Sequence, residues 1–147
     1  MDPHEPIKRV LRLPTVPASA GAARRWITAL DLPLSEEQGE LLRFLANELV
    51  TNCIRHSPGP VVCLEIDVLP HAVRVATIDD GGGDGGPSVQ QSSVWHTSGR
   101  GLALVDRLAS RWGHYDGSGT VVWFEIDRED ADQPARRGLK VGRESHR

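Results

Sequence analysis

No run of apolar residues in this chain approaches the roughly 18 that a membrane helix needs. The first residues, Met1-Asp2-Pro3-His4-Glu5-Pro6, lack the basic and apolar regions of a secretory signal. Basic charge is not in excess: the net charge is −3 over 147 residues, which leaves no electrostatic footprint for direct nucleic-acid binding. Cysteine is scarce, with Cys53 and Cys63 alone. Both fall in apolar patterns and read as small core residues in a reducing compartment. No Cys/His spacing suggests zinc, and there are no internal repeats. These absences point to a soluble cytoplasmic chain, long enough for one domain with its own core.

What is present alternates between strand and helix patterns. Residues 7–13 are weakly strand-like and are closed by Pro14 and Pro17. Ser19 to Leu30 reads as a helix with Ala22, Trp26, Ile27 and Leu30 on one side. Ser35-Glu36-Glu37-Gln38 is a capping-box pattern that opens a long helix, ending near Ser57-Pro58-Gly59-Pro60. Val62, Leu64, Ile66 and Val68 alternate as a strand. After the short turn at Leu69-Pro70-His71 a second strand follows, with Val73, Val75 and Thr77 on one face. So short a turn implies an antiparallel hairpin. Gly101 to Trp112 is expected to be a helix with Leu102, Val105, Leu108, Ala109 and Trp112 in one stripe. Residues 115–119 read as a turn, and 120–126 as a strand. Residues 128–147 are charged and poor in apolar side chains, as in a disordered tail, which leaves a domain over residues 1–127. The order of elements predicts an α+β two-layer sandwich, with helices on one face of a mixed, mostly antiparallel sheet.

The run Glu48-Leu49-Val50-Thr51-Asn52-Cys53-Ile54-Arg55-His56 carries the most chemistry. Glu48 and Asn52 are four residues apart on a helix and share a face. Leu41, Leu45 and Leu49 lie on the inward side of that pair, so a carboxylate and an amide sit at the edge of an apolar stripe. Such groups are costly there unless they find a partner, which a divalent metal and a reacting hydroxyl would supply. The plainer alternative is a surface pair.

Glycine is concentrated in two places. Asp79-Asp80-Gly81-Gly82-Gly83-Asp84-Gly85-Gly86-Pro87 follows the second hairpin strand. A carboxylate at a strand end can accept a hydrogen bond from an exocyclic amine such as adenine N6. Glycines let the backbone approach a flat ring or a phosphate, although the same composition suits a flexible linker. A dinucleotide fingerprint would need a helix starting inside the glycine run, and the polar, aperiodic residues 88–98 exclude one. In the second place, Gly99 and Gly101 flank Arg100 immediately before a helix. Free N–H groups at a helix start and the added arginine favour phosphate. The connection between the two glycine segments, about 15 residues long, is suggestive of a lid.

Together these segments resemble the nucleotide-binding boxes of the Bergerat-fold superfamily. That superfamily contains histidine kinases, gyrase-type topoisomerases, heat-shock chaperones and anti-sigma serine kinases. Residues 48–56 resemble the N box, residues 79–83 the first glycine box, and residues 99–105 the second; their order matches across residues 7–127. Trp112-Gly113 and the strand after Gly117-Ser118-Gly119-Thr120 make the likeness strongest to the small anti-sigma factor serine/threonine-protein kinases. Gly82 departs from the bulkier residue common between the box glycines, and residues 85–98 show no family pattern.

The resemblance implies ATP and Mg2+ as cofactors, phosphorylation of a serine on an anti-anti-sigma factor, and sequestration of a sigma factor. It implies that Asn52 coordinates magnesium through its amide oxygen and that Glu48 is the general base. It places Asp79 on adenine, with Gly81 and Gly83 shaping that wall. Gly99, Arg100 and Gly101 hold the phosphates, with Leu102 counted in the nucleotide site. His56 matches the N box without a chemical task; a cation at a helix C-terminus explains it equally well. Two alternatives stay open: a non-catalytic ATP-binding regulator that sequesters a partner, and the detached ATP domain of a histidine kinase. The retained Glu48 disfavours the first, and the lack of an upstream phosphoacceptor histidine disfavours the second. The oligomeric state, a homodimer included, is open.

Overall fold

The computed structural model describes residues 7–57, 59–79, 100–117 and 119–129. Their elements run β1 (Ile7–Pro14), α1 (Ala18–Ala29), α2 (Glu36–His56), β2 (Val61–Val68), β3 (Ala72–Asp79), α3 (Arg100–Leu108), β4 (Arg111–Asp116) and β5 (Thr120–Asp127). The strands form one sheet in the order β1-β2-β3-β5-β4. Every described pair is antiparallel, so the sheet is uniform and not mixed. The helices pack on it to give an α+β two-layer sandwich.

The capping box forms as expected. Gln38 N donates to Ser35 Oγ, and Ser35 N donates back to Gln38 Oε1, both at 3.1 Å. The same Gln38 amide donates through Nε2 to the Asp127 carbonyl at 2.9 Å, tying the start of α2 to the end of β5. Glu36 and Glu37 in the first turn and Arg55 and His56 in the last complement the helix dipole. At the other end of β1, Ser19 Oγ donates to the Pro14 carbonyl at 2.6 Å and seats α1.

The core lies between α2 and the sheet. Leu42, Leu45, Leu49 and Val50 of α2 are fully buried against Val62, Leu64, Ile66, Val73, Val75 and Phe124. Val73, Val75 and Thr77 share the inner face of β3, as alternation requires. Cys53 belongs to this core, whereas Cys63 is only half-buried, because β2 turns it toward the opposite face.

One expected element is wrong in extent. The helix read over residues 101–112 stops at Leu108, and Leu108 is exposed. Trp112 is buried, but from β4, a strand that the sequence reading divides between the end of that helix and the turn at residues 115–119. The spacing of Leu108 and Trp112 mimics one helical turn. In fact Trp112 and His114 alternate inward along a strand, their rings stacked with centroids 6.1 Å apart. Trp112 Nε1 donates to Asp106 Oδ1 at 2.8 Å and ties the strand back to α3. Gly113 lies opposite Trp123; a Cβ there would stand 2.9 Å from the indole ring. Among the described residues no helix is long and apolar enough to cross a membrane.

Candidate functional site

The inner face of the sheet changes character along its length. Toward one end it is apolar, with Val73, Val75, Phe124, Ile126 and Trp112. Toward the other, where β3 ends, buried polar residues take over: Thr77 and Asp79 on β3, Thr120 on β5 and His114 on β4. Strand register brings them together. Asp79 faces Thr120, which faces Asp116, and Thr120 Oγ1 donates to Asp116 Oδ1 at 3.1 Å. Thr77 faces Val122, which faces His114. Inward-facing strand positions are ordinarily apolar, so four buried polar side chains together set this end of the sheet apart from the core.

The last two turns of α2 cover that end. Cys53 is the contact point: burial pushes its thiol up to about 12, the neighbouring Thr77 hydroxyl opposes this, and the charge of Asp79 adds to it. The Thr77 hydroxyl lies close enough to influence the sulfur, but its oxygen makes no hydrogen bond of normal geometry. Asn52 precedes Cys53 and is buried, and among the described residues its Nδ2 also lacks a partner. Glu48, one turn earlier on the same face, is half-buried, and among the described residues it has no hydrogen bond or ion pair. The structure thus brings Glu48, Asn52 and Asp79 to one end of the sandwich.

The remaining expected site residues stand differently. Arg100, Gly101 and Leu102 form the first turn of α3, and the Leu102 side chain is buried in the core cluster. Gly81, Gly83 and Gly99, with the expected lid, lie outside the described residues, as does the tail from residue 130. His56 is exposed in the last turn of α2, beside Arg55, in agreement with its plainer reading. Thr77, Thr120 and His114 were not singled out from sequence. Their signal was present as polar residues at inward-facing positions of otherwise apolar strands.

The orphaned Asn52 amide tests whether a metal would fit. A half-turn about its last side-chain torsion exchanges nitrogen and oxygen, placing an oxygen acceptor where the unpartnered atom now points. That suits a hard cation. Among the described residues no group of three or more His, Cys, Asp or Glu could hold a metal ion. A magnesium ion held by one protein oxygen, nucleotide phosphates and water needs no such group.

No curated protein matches the chain. The family model described as histidine kinase-like ATPase domain matches residues 13–126, from the end of β1 through β5. That span covers most of the chain and contains every element from α1 to β4, with the polar end of the sheet. The chain belongs to the histidine kinase-like ATPase domain family.

Proposed function

We propose that this protein is an ATP- and magnesium-binding anti-sigma regulatory factor and a serine/threonine-protein kinase, phosphorylating an anti-anti-sigma partner. Family membership supports ATP as the nucleotide. The finer reading rests on the resemblance of residues 48–56, 79–83 and 99–105 to the boxes of the small anti-sigma kinases.

One observation carries the catalytic part. Among the described residues, Glu48 is a half-buried carboxylate without a hydrogen bond or ion pair, one helical turn from buried Asn52, whose Nδ2 also has no partner there. A structural pair would have closed on itself.

In this reading Asp79 accepts from the exocyclic amine of the base, at the polar end of the sheet. Asn52 offers its amide oxygen to magnesium, which neutralises charge on the phosphates. The resemblance gives Gly99, Arg100 and Gly101 the task of holding the phosphates. Glu48 takes the proton from the partner's serine hydroxyl as its oxygen bonds to the γ-phosphorus. The bond to the β,γ-bridging oxygen breaks, and ADP leaves with that electron pair.

The test is phosphate incorporation into a serine-bearing partner. Glu48→Gln keeps shape and hydrogen bonding but loses basicity. It should bind ATP as the wild type does and transfer phosphate about 10²–10⁴-fold more slowly. Equal transfer by both would remove Glu48 as base. Tight ATP binding with no transfer by the wild type to any partner would favour the non-catalytic regulator.

A further inference from the structure

The outer surface of α2 leads toward Glu48, and its residues are unusual for a solvent face. Phe44 is 46% exposed, one turn before Glu48. Leu108, 44% exposed, ends α3. The two helices meet at Asp127: Gln38 of α2 donates to its carbonyl, and its N–H donates to Ser110 Oγ just beyond α3. α3 therefore ends beside the start of α2, with Leu108 toward the end from which Phe44 is reached.

The charges on this surface are also ordered. Glu37, Leu41, Phe44 and Glu48 fall at helical spacings of four, three and four, in one stripe. Glu40 lies one turn from Phe44. Glu37 and Glu40 are exposed, and among the described residues neither has an ion pair. The helix dipole accounts for Glu37 in the first turn, but not for Glu40 or Phe44. Past Glu48 the stripe changes sign at exposed Arg55. An acidic and aromatic approach thus runs up to Glu48 from one side only.

We infer that this stripe docks an extended segment of the partner protein that carries the phosphorylated serine, and that the segment is basic and apolar on one side of it. The inference rests on Glu48 as the group that the serine reaches. Geometry sets the spacing. A helix rises ~1.5 Å per residue, so Phe44 lies ~6 Å from Glu48 along the axis, Glu40 ~12 Å and Glu37 ~16 Å. An extended chain advances ~3.3 Å per residue, so these distances correspond to about two, four and five positions from the serine. An aliphatic or aromatic residue about two positions away would cover Phe44, and lysine or arginine about four or five away would meet Glu40 and Glu37.

The test uses the full chain on an array of synthetic peptides with one central serine and all other positions varied. Retention of the chain in magnesium and a non-hydrolysable ATP analogue is read first, and transfer of labelled phosphate separately. Retention should favour an apolar residue about two positions from the serine and a basic one about four or five away, both on the same side. Phe44→Ala should weaken retention of those peptides about tenfold, the effect of losing most of one buried ring contact. Glu37→Lys with Glu40→Lys should turn the basic preference into an acidic one. Both variants should bind ATP as the wild type does, which reports an intact fold. No retention, retention without positional preference, or a basic preference that survives the charge reversal would overturn the docking surface. The expected retention pattern without transfer upholds the docking surface and removes the kinase reading. Transfer without the pattern does the reverse.

Discussion

At the scale of single residues, the site is defined by polar groups held apart from water. Asp79 is buried at the end of β3, in register with Thr120. If its carboxylate receives the base, Asp79→Asn loses a charged acceptor and should weaken ATP binding about 10-fold or more, the worth of one hydrogen bond to a charged group. Calorimetry with ATP and with GTP reads this out, and unchanged ATP affinity would displace the base from Asp79. Asn52→Ala should weaken binding in magnesium and leave the metal-free affinity unaltered; equal loss in both conditions would remove the metal from Asn52. The two thiols should also separate. Cys53 is buried and its thiol is pushed up to about 12, so it is protonated at neutral pH and unreactive. Burial raises Cys63 too, but that residue is half-exposed. A disulfide reagent should modify Cys63 first in the native chain, with Cys53 following only on unfolding.

At the scale of elements, α2 and β4 show opposite relations between sequence and structure. Every local signal for α2 agrees: the capping box, acidic first turn, apolar periodicity and basic last turn all specify the same helix. The opposite holds for β4, whose six residues, Arg-Trp-Gly-His-Tyr-Asp, include a glycine at its centre. It is a strand because β5 supplies a partner and because Gly113 admits the Trp123 indole. Gly113→Ala would put a Cβ 2.9 Å from that ring, which Arg74 also covers at 4.3 Å from its centroid. The ring or the strand must shift, at a cost of about 1–3 kcal/mol. Denaturant unfolding should show that loss, and a variant as stable as the wild type would mean the ring yields freely.

At the scale of the whole molecule, the sheet face away from the helices is covered by its own charges. Glu125 is buried there between two arginines. Arg74 contacts its Oε2 from Nη2 at 2.6 Å and from Nε at 2.8 Å, and Arg111 Nε contacts Oε1 at 2.8 Å. Arg111 also pairs with Asp127. Burial alone would push the Glu125 carboxyl up, but the hydrogen bonds from Arg111 and Arg74 outweigh it and hold it below its ordinary 4.5. A carboxyl depressed in the folded state contributes stability that is complete above the ordinary value and is lost as pH falls through the folded one. Glu125→Gln should therefore be less stable than the wild type by about 2 kcal/mol at neutral pH. The difference should narrow as pH drops below 4.5. A gap constant down to strongly acidic pH would show that packing, not charge, is what the substitution removes.

The helices of the first half, the hairpin of β2 and β3, and the placing of Glu48 and Asn52 on one helix face were legible in the chain itself. Those features depend on neighbours within a few residues, whose spacing and chemistry are written locally. The sequence also placed Asp79 at a strand end before glycines, because alternation and glycine both mark that point. That Thr77, Asp79, Thr120 and His114 form one buried polar end of the sheet follows only from folding, since their adjacency comes from register between strands far apart in the chain. Folding likewise decided that Trp112 points inward from a strand, where residue spacing had suggested a helix, because strand formation there depends on β5. The open-face cluster around Glu125 has the same origin. Its carboxylate is held by arginines from strands on either side, and no local pattern announces a pairing that exists only once the sheet has formed.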